Sequence, residues 1–352
     1  MSFSAPKILE KMVSLDASDL HLTVGSSPVV RIKRNLSPLS EFSAMTTEDV
    51  TSFLQQVLEP DQMSVLEVSR ELDFSVSLGS KARFRVNAFY QKGYPSVALR
   101  YIPQIIPSLD ELNLPPILKG LSNLKQGLVL VVGPAGHGKS TTIASIIELI
   151  NETRAEHVIT LEDPIEYVFT NKKSLIEQRE LYVDTASWDN ALKSILRQDP
   201  DVVFIGEMRD MDTTLAALRI AETGHLVFAT LHTNSAAQTV ERIIATFPPE
   251  KQIGFQSQLS SILEAVVSLR LLPAKDGGVY PAVELMLGTD AIRNIIREGK
   301  FEQINNVINT SSHVGMTSLD RSLANLIEKG VVSPDEALRY SLNPDQVRRF
   351  LK

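Results

Sequence analysis

The chain has 352 residues, of which 43% are hydrophobic and 22% are charged, a composition typical of a soluble globular protein long enough for two domains. Its 35 basic and 42 acidic side chains give a net charge of −7, and no Lys/Arg block stands out, which disfavours a nucleic-acid-binding protein. The absence of cysteine excludes disulfides and cysteine-bound zinc, and the lack of a signal peptide or a membrane-length apolar run fits a cytoplasmic protein.

The first part of the chain, residues 1–102, predicts a small α/β domain. Thr46 or Thr47 can cap the second of its two helices, because a side-chain oxygen there accepts from a backbone N–H of the first turn. The last three strands form a meander with glycine turns between them. The predicted elements are helices at 7–15 and 46–58, strands at 20–24, 29–33, 72–78, 82–90 and 96–102, and turns at 25–28, 79–81 and 93–95.

A proline-rich stretch at residues 103–116 is predicted to be the interdomain linker. Beyond it strands alternate with helices, which implies a parallel sheet covered on both faces. This second domain is expected to span residues 117–289, and residues 290–352 are expected to be mostly helical. The predicted elements are strands at 128–132, 157–162, 202–207 and 225–231 and helices at 140–151, 188–198 and 211–223.

The loop after the first of these strands matches the phosphate-binding pattern G-x-x-x-x-G-K-[ST]. Its glycines let backbone N–H groups turn toward phosphates, while Lys139 can reach the β- and γ-phosphates and the Ser140 hydroxyl can bind Mg²⁺. The helix that follows directs its positive end at the anion. The sequence therefore predicts a site for ATP and Mg²⁺ formed by Gly133, Pro134, Ala135, Gly136, His137, Gly138, Lys139, Ser140 and Thr141.

Three carboxylates, Glu162, Asp163 and Glu166, follow the second strand at the sheet edge where ligands bind in open α/β folds. ATP hydrolysis needs an oriented water and a general base. Glu166 is our candidate base, and Glu162 or Asp163 could hold Mg²⁺ through water. The alternative, that all three are solvated loop acids, stays open.

The apolar strand at 202–207 ends in Gly206 and Glu207. In proteins with a phosphate-binding loop of this pattern, the corresponding strand usually ends in an Asp that helps to bind Mg²⁺. Gly206 stands in its place here, which argues against direct coordination of the metal by this strand. Glu207 is a second candidate catalytic carboxylate, and the alternative is a strand-end acid that faces solvent.

His225 and His232 bracket the next strand. Their spacing does not suit a metal site, and an ordinary core or surface role remains an alternative to contact with the nucleotide.

Arginines alternate with apolar residues at 83–87, so that Arg83 and Arg85 share one face of a strand. They are either solvated or, in a ring ATPase, reach the phosphates bound by a neighbouring subunit. Arg100, on the next strand, could join Arg85 in that role.

Taken together, these motifs resemble the secretion ATPase superfamily of GspE/PilT-like proteins. The likeness covers nearly the whole chain, and it favours the type IV pilus retraction (PilT) family. One departure is His137, since a small Ser or Thr is more usual there. The motifs, in order, are a PilT-like first domain at 17–22 and 82–89, Walker A at 133–140, an Asp box at 160–166, an atypical Walker B at 206–210, a His box at 223–233 and a retraction motif at 291–298.

The resemblance implies a PAS-like domain at 1–102, a RecA-like ATPase domain at 117–289, and a homohexamer that powers pilus retraction and twitching motility. It also implies a cytoplasmic position at the inner-membrane pilus machine, a platform protein as partner, no nucleic acid and no membrane insertion. It assigns catalytic roles to Glu166, Glu207, Arg209, His225 and His232, with the histidines sensing the γ-phosphate and Arg85 and Arg100 acting on a neighbouring subunit.

Within residues 291–298, Ile292, Ile295 and Ile296 recur on one helix face, while Arg293 and Arg297 lie on another. We expect the isoleucines to anchor this helix and the arginines to transmit motion, so that replacing both arginines stops retraction but spares ATPase activity.

Four alternatives remain. A pilus or type II secretion assembly ATPase usually has an extra N-terminal domain and a four-cysteine zinc site. The absence of cysteine and the length of the segment before the predicted linker, residues 1–102, argue against it. The accessory retraction ATPase PilU shares most of the motifs. A RecA-like nucleic-acid translocase is disfavoured by the acidic balance, and a regulator that binds nucleotide without hydrolysis is disfavoured by the full set of carboxylates.

Overall fold

The chain forms two compact units, Met1–Ile105 and Ile106–Lys352. The computed structural model describes residues 4–32, 35–79, 82–102 and 105–351. Parts of a predicted strand, turn and linker, namely Lys33, Ser80, Lys81 and Pro103, lie outside the described residues. Within these ranges, no helix combines the length and the apolar character that crossing a membrane requires.

The first unit carries an antiparallel sheet. Its elements are α1 (Ala5–Ser14), β1 (Asp19–Thr23), β2 (Val29–Ile32), β3 (Asn35–Pro38), α2 (Thr47–Val57), α3 (Pro60–Ser69), β4 (Glu71–Leu78), β5 (Ala82–Gln91) and β6 (Tyr94–Ile102). The strand order is β3-β2-β1-β6-β5-β4. As predicted, Thr46 caps α2: its side chain accepts from the Asp49 backbone N, and the Asp49 carboxylate accepts from the Thr46 backbone N.

Alternation along β5 is confirmed, because Phe84 and Val86 are fully buried while Arg85 is exposed. The sequence did not predict β3 and α3. β3 is a short polar strand at the edge of the sheet, and α3 lacks a continuous apolar face, with Leu66 its one buried residue among those described.

The second unit is built on a larger sheet. Its strands are β7 (Gly127–Val132), β8 (His157–Glu162), β9 (Leu175–Glu180), β10 (Val202–Ile205), β11 (Leu226–Leu231), β12 (Leu263–Pro273) and β13 (Val279–Leu287). Its α-helices are α4 (Lys139–Thr153), α5 (Trp188–Ile195), α6 (Met211–Glu222), α7 (Ala236–Ala245), α8 (Pro249–Ile262), α9 (Asp290–Glu298), α10 (Ile304–Thr310), α11 (Leu319–Glu328), α12 (Pro334–Tyr340) and α13 (Pro344–Phe350).

The strand order is β13-β12-β7-β11-β10-β8-β9. All neighbouring strands are parallel except β12 and β13, which form an antiparallel hairpin. The strands predicted from the sequence, β7, β8, β10 and β11, are therefore parallel as expected. The β12–β13 hairpin was not predicted, and the short turn between its strands leaves no room for a crossover helix.

Two apolar cores cover the two faces of this sheet, and a third lies between the β12–β13 hairpin and α11, α12 and α13. A short 3₁₀-helix, Pro116–Asn123, precedes β7. Residues 106–116, which were predicted to be linker, belong to this unit, because Leu109 and Leu114 are buried in one of its cores.

The predicted apolar face of α9 is confirmed, since Ile292, Ile295 and Ile296 are buried. Arg293 is not on an open face. Its guanidinium donates to the carbonyl oxygens of Gly288, Ser260 and Ser261 and to the Glu264 carboxylate.

Candidate active site

The phosphate-binding loop joins β7 to α4 at the carboxyl edge of the sheet. Gly133 needs its φ of 145° and its missing side chain, because an added Cβ would lie 2.6 Å from the carbonyl oxygen of Leu269. Gly138, with a φ of 83°, is the N-cap residue of α4. The glycine loop therefore leads directly into the positive end of α4, an arrangement that suits a phosphate group.

Lys139 is the first residue of α4 and is buried to 8% exposure. Its Nζ donates to the carbonyl oxygens of Gly133 at 2.9 Å and Pro134 at 3.0 Å. Burial lowers the pKa of Lys139, although the nearby charges of Glu207 and Glu166 favour the ammonium form.

A chain of polar contacts runs from Lys139 across the ends of the neighbouring strands. His232 Nδ1 lies 3.2 Å from Lys139 Nζ, and His232 Nε2 lies 3.2 Å from Glu207 Oε1. The Lys139 ammonium group can only donate hydrogen bonds, so Nδ1 of His232 must accept from it. In neutral His232 the proton therefore lies on Nε2, which faces Glu207. Arg209 then donates through Nε to Glu207 at 2.7 Å and pairs through Nη1 with Asp163 at 3.1 Å. The hydrogen bond to Glu207 is the main cause that raises the pKa of Arg209.

Glu162 is a buried carboxyl beneath the loop that follows β8. It accepts hydrogen bonds from Thr160 at 2.7 Å, Gln178 at 3.2 Å and the Glu166 backbone N at 3.3 Å. Burial raises the pKa of Glu162 to about 7. Through the bond from the Glu166 backbone N, this carboxyl positions the loop that carries Glu166. Its predicted role in holding Mg²⁺ through water stays a prediction.

The same loop is joined to the start of α4. The Thr141 hydroxyl lies 3.0 Å from the Tyr167 hydroxyl, and the preceding residue, Glu166, is exposed. Glu166 therefore lies where its charge acts on Lys139 while its side chain reaches solvent.

His225 is not brought to this site. It directly precedes Leu226, which pairs with Gly127 at the start of β7, whereas the phosphate loop follows Val132 at the end of β7. A strand rises about 3.3 Å per residue, so β11 separates His225 from the loop by roughly 17–20 Å. Its Nδ1 contacts Thr223 and the carbonyl oxygen of Ile220 instead. The role of His225 in sensing the γ-phosphate stays a prediction that the geometry within one chain does not support.

The two predicted arginines of the first unit lie side by side. Arg85 of β5 is opposite Arg100 of β6 in the strand register. Arg85 is exposed, and Arg100 is 70% exposed although its Nε donates to Asp19 at 2.8 Å. Both guanidinium groups are therefore accessible on the first unit.

Sequence reasoning missed a buried arginine on β12. The Arg270 guanidinium donates to the Leu269 carbonyl oxygen, and at 3.0 and 2.9 Å to the main-chain and side-chain oxygens of Asn234. It thereby fixes the loop that carries His232. The sequence signal that could have revealed Arg270 is a charged residue inside an otherwise apolar strand. Glu284 on β13 carries the same signal: it is buried and accepts a hydrogen bond from the Ala236 backbone N at 2.7 Å.

A cavity of about 260 Å³ lies beside the phosphate loop. Apolar side chains dominate its lining, and Asn113, His137 and Thr141 add polar groups; the lining residues are Glu111, Leu112, Asn113, Leu114, His137, Gly138, Thr141, Thr142, Leu269, Leu271, Val279 and Pro281.

The residues present fit a magnesium ion that is bound together with phosphate. Among the described residues no three His, Asp or Glu side chains cluster as a metal cage. Mg²⁺ usually keeps several waters and takes phosphate oxygens, so it needs few protein ligands. Ser140, in the first turn of α4, fits as one of them, whereas Asp163 pairs with Arg209.

Residues 4–278 match the family model described as type II/IV secretion system protein. The chain belongs to this family. It is 42% identical to the type IV pilus retraction ATPase PilT of Pseudomonas aeruginosa over 94% of this chain and 95% of that protein. It is 44% identical to the twitching motility protein of Neisseria gonorrhoeae over 91% and 86% of the two chains.

A solved structure of the pilus retraction motor PilT with bound ADP is 44% identical, covers 98% of both chains and superposes with a TM-score of 0.92. The chain is thus a PilT-family ATPase of the type II/IV secretion system protein family, and the predicted α/β fold and family are confirmed.

Proposed function

We propose that this chain hydrolyses ATP and uses the energy to retract type IV pili. The contact of His232 with both Lys139 and Glu207 carries the proposal, because it joins the predicted phosphate-binding lysine to a carboxylate at hydrogen-bonding distance. Relatives named as retraction and twitching motility proteins support the choice of pilus retraction.

The chemistry begins with phosphate binding. Lys139 would exchange the carbonyl oxygens of its own loop for β- and γ-phosphate oxygens, which neutralises charge that develops in transfer. His232 would then report the presence of the γ-phosphate, since its Nδ1 faces the same ammonium group. Glu207, held by His232 and Arg209, would orient the attacking water and accept its proton, and Glu166 is the second candidate for this role.

The nucleotide would be held at three places. The loop at 133–138 and Lys139 would bind the phosphates, Ser140 would help to hold Mg²⁺, and the cavity beside His137 would take the base and sugar. When bound, Mg²⁺ supplies positive charge that offsets the charge of the phosphates.

We propose a homohexamer with ATP sites at subunit interfaces, in which Arg85 and Arg100 approach the phosphates of a neighbouring subunit. Accessible guanidinium groups on the first unit support this arrangement. Residues 1–102 would act as a PAS-like domain, 117–289 as a RecA-like ATPase domain and 290–352 as a helical region. A cytoplasmic position at the inner-membrane pilus machine and a platform protein as partner belong to the same proposal.

The test combines turnover and imaging. Purified protein should hydrolyse ATP, without stimulation by DNA, and cells in which the gene is deleted should extend pili and fail to retract them. Loss of extension would indicate an assembly ATPase instead. Normal retraction at low load with failure under high load would indicate an accessory ATPase, and absence of turnover would contradict the enzymatic proposal.

A further inference from the structure

His137 accepts a backbone hydrogen bond from the part of β12 that extends beyond β7. The pairing of β12 with β7 ends at Ser268 and Val132, where β7 turns into the phosphate loop. The backbone N–H of Leu271, three residues further along β12, donates at 2.8 Å to Nδ1 of His137. A backbone amide at the end of a strand needs an acceptor, and here the imidazole supplies it.

The same imidazole faces the C-terminal helices. Its ring contacts the ring of Tyr340, the last residue of α12, edge to face with 6.3 Å between the centroids. α12 and its neighbours pack on the β12–β13 hairpin around Leu272 and Ala282. His137 therefore lies between the loop predicted to bind phosphate and the structure that supports the C-terminal helices.

Only neutral imidazole can accept this hydrogen bond, because both nitrogens of imidazolium are donors. Partial burial is the main cause that lowers the pKa of His137, and the charges of Arg270 on β12 and Lys139 in its own loop lower it further. Tyr340 faces the ring from α12, and Glu111 lines the same cavity. These surroundings favour the accepting form near neutral pH.

We propose that His137 is a positioning residue that connects the phosphate loop to β12 and, through Tyr340, to α12, so that nucleotide in the loop alters the packing of the C-terminal helices. We call these two contacts the His137 connection. The proposal rests on the nucleotide-binding function proposed above and adds a route by which the loop communicates with α11, α12 and α13. The route begins at the Leu271 amide, because that group moves with the hairpin on which these helices pack.

The test compares two substitutions in the full chain. In His137→Asn the amide oxygen can take the place of Nδ1, whereas His137→Leu removes the acceptor. Hydrogen–deuterium exchange of the peptide that contains Leu271 should be roughly three- to tenfold faster in His137→Leu than in the wild type, and within about twofold of it in His137→Asn. ADP should slow exchange in α12 of the wild type and of His137→Asn, but not of His137→Leu. His313→Asn, at an exposed position, is the matched control.

Kinetics give a second readout. The KM for ATP should rise roughly three- to tenfold in His137→Leu. Acidification that protonates His137, below its ordinary pKa of 6.5, should bring the wild type toward His137→Leu while His137→Asn stays unchanged. Tyr340→Ala should raise KM in the wild type but add little to His137→Leu, because both changes break one connection.

Equal hydrogen–deuterium exchange at Leu271 in His137→Asn and His137→Leu would overturn the proposed His137 connection. Additive effects of Tyr340→Ala and His137→Leu on the KM for ATP would also overturn it. The exchange experiment uses ADP and needs no ATP turnover. A chain that binds ADP but fails to hydrolyse ATP would contradict the enzymatic proposal, and the exchange data would still test the His137 connection.

Discussion

Replacing Arg293 by alanine should destabilise the second unit rather than uncouple the motor. The guanidinium joins α9 to the end of α8, where it donates to the carbonyl oxygens of Ser260 and Ser261 at 2.9 and 2.7 Å. It also donates to Gly288 and to the Glu264 carboxylate, both at 2.7 Å. The last carbonyls of a helix have no partner within it, so Arg293→Ala leaves those of α8 unpaired.

The magnitude follows from these contacts. A lost hydrogen bond to a charged group costs about 1.5–3 kcal/mol, but four bonds to one side chain are not additive. Arg293 and Glu264 are 21% and 28% exposed, so solvent screens part of the loss. We expect a decrease of about 3 kcal/mol in the free energy of unfolding, which in a unit of this size lowers Tm by about 6–12 °C.

Differential scanning calorimetry of Arg293→Ala and Arg297→Ala measures this directly. Arg297 is exposed and contacts Asn294 on its own helix, so its replacement should change the free energy of unfolding by less than about 0.5 kcal/mol. The free energy of unfolding of Arg293→Lys should lie between those of the wild type and Arg293→Ala, because one ammonium group cannot reach all four acceptors. A Tm for Arg293→Ala within about 1 °C of the wild type would refute the argument. Arg297→Ala alone, assayed for pilus retraction, then becomes the clean test of coupling.

Three further predictions concern the site. Glu207→Gln should keep nucleotide binding and slow ATP turnover by about 10²–10⁴-fold, with a smaller effect for Glu166→Gln, as steady-state assays can measure. Burial raises the pKa of Glu162 to about 7, so the contribution of this carboxyl to stability is present below pH 4.5 and is lost as pH rises through about 7. Over this interval the Tm of Glu162→Gln should therefore rise relative to that of the wild type. Lys139→Ala subunits mixed with Arg85→Ala subunits should recover turnover, because each can supply the group that the other lacks at a shared site.

Each prediction has a result that contradicts it. Wild-type turnover in Glu207→Gln would remove that residue from the mechanism. A constant difference in Tm between the wild type and Glu162→Gln across the pH range would mean that the buried carboxyl does not titrate there. Mixtures that never exceed the summed activities of their components, at any ratio, would leave Arg85 without a role in a neighbouring site.

Local patterns predicted much of this fold because the physical causes act over short distances. The capping residue of α2, the alternation along β5 and the isoleucine face of α9 depend on neighbours within a few positions. β9 and α3 were missed because neither carries a clean periodicity. β9 contains polar residues in an edge strand, and its pairing with β8 is what makes it a strand.

The site was predictable only where its residues are close in sequence. Lys139 and its glycines follow from one motif, yet the place of His225 depends on which end of β11 meets the phosphate loop, and the motif does not encode that. Arg270 reaches the site only because β12 lies beside β7. Its hydrogen bonds to Asn234 join residues 36 positions apart.

The two outer strands of the larger sheet bear on solubility. At one side, β13 is flanked by the segment before α11, since Leu285 and Thr317 exchange backbone hydrogen bonds. At the other side β9 is an edge strand, but it carries charges, with the Glu177 side chain 56% exposed. Charged side chains on an exposed edge oppose the strand-to-strand addition that leads to aggregates. Copies of this chain can therefore meet without β9 of one copy pairing with β9 of another, and a Glu177→Val exchange would weaken that protection.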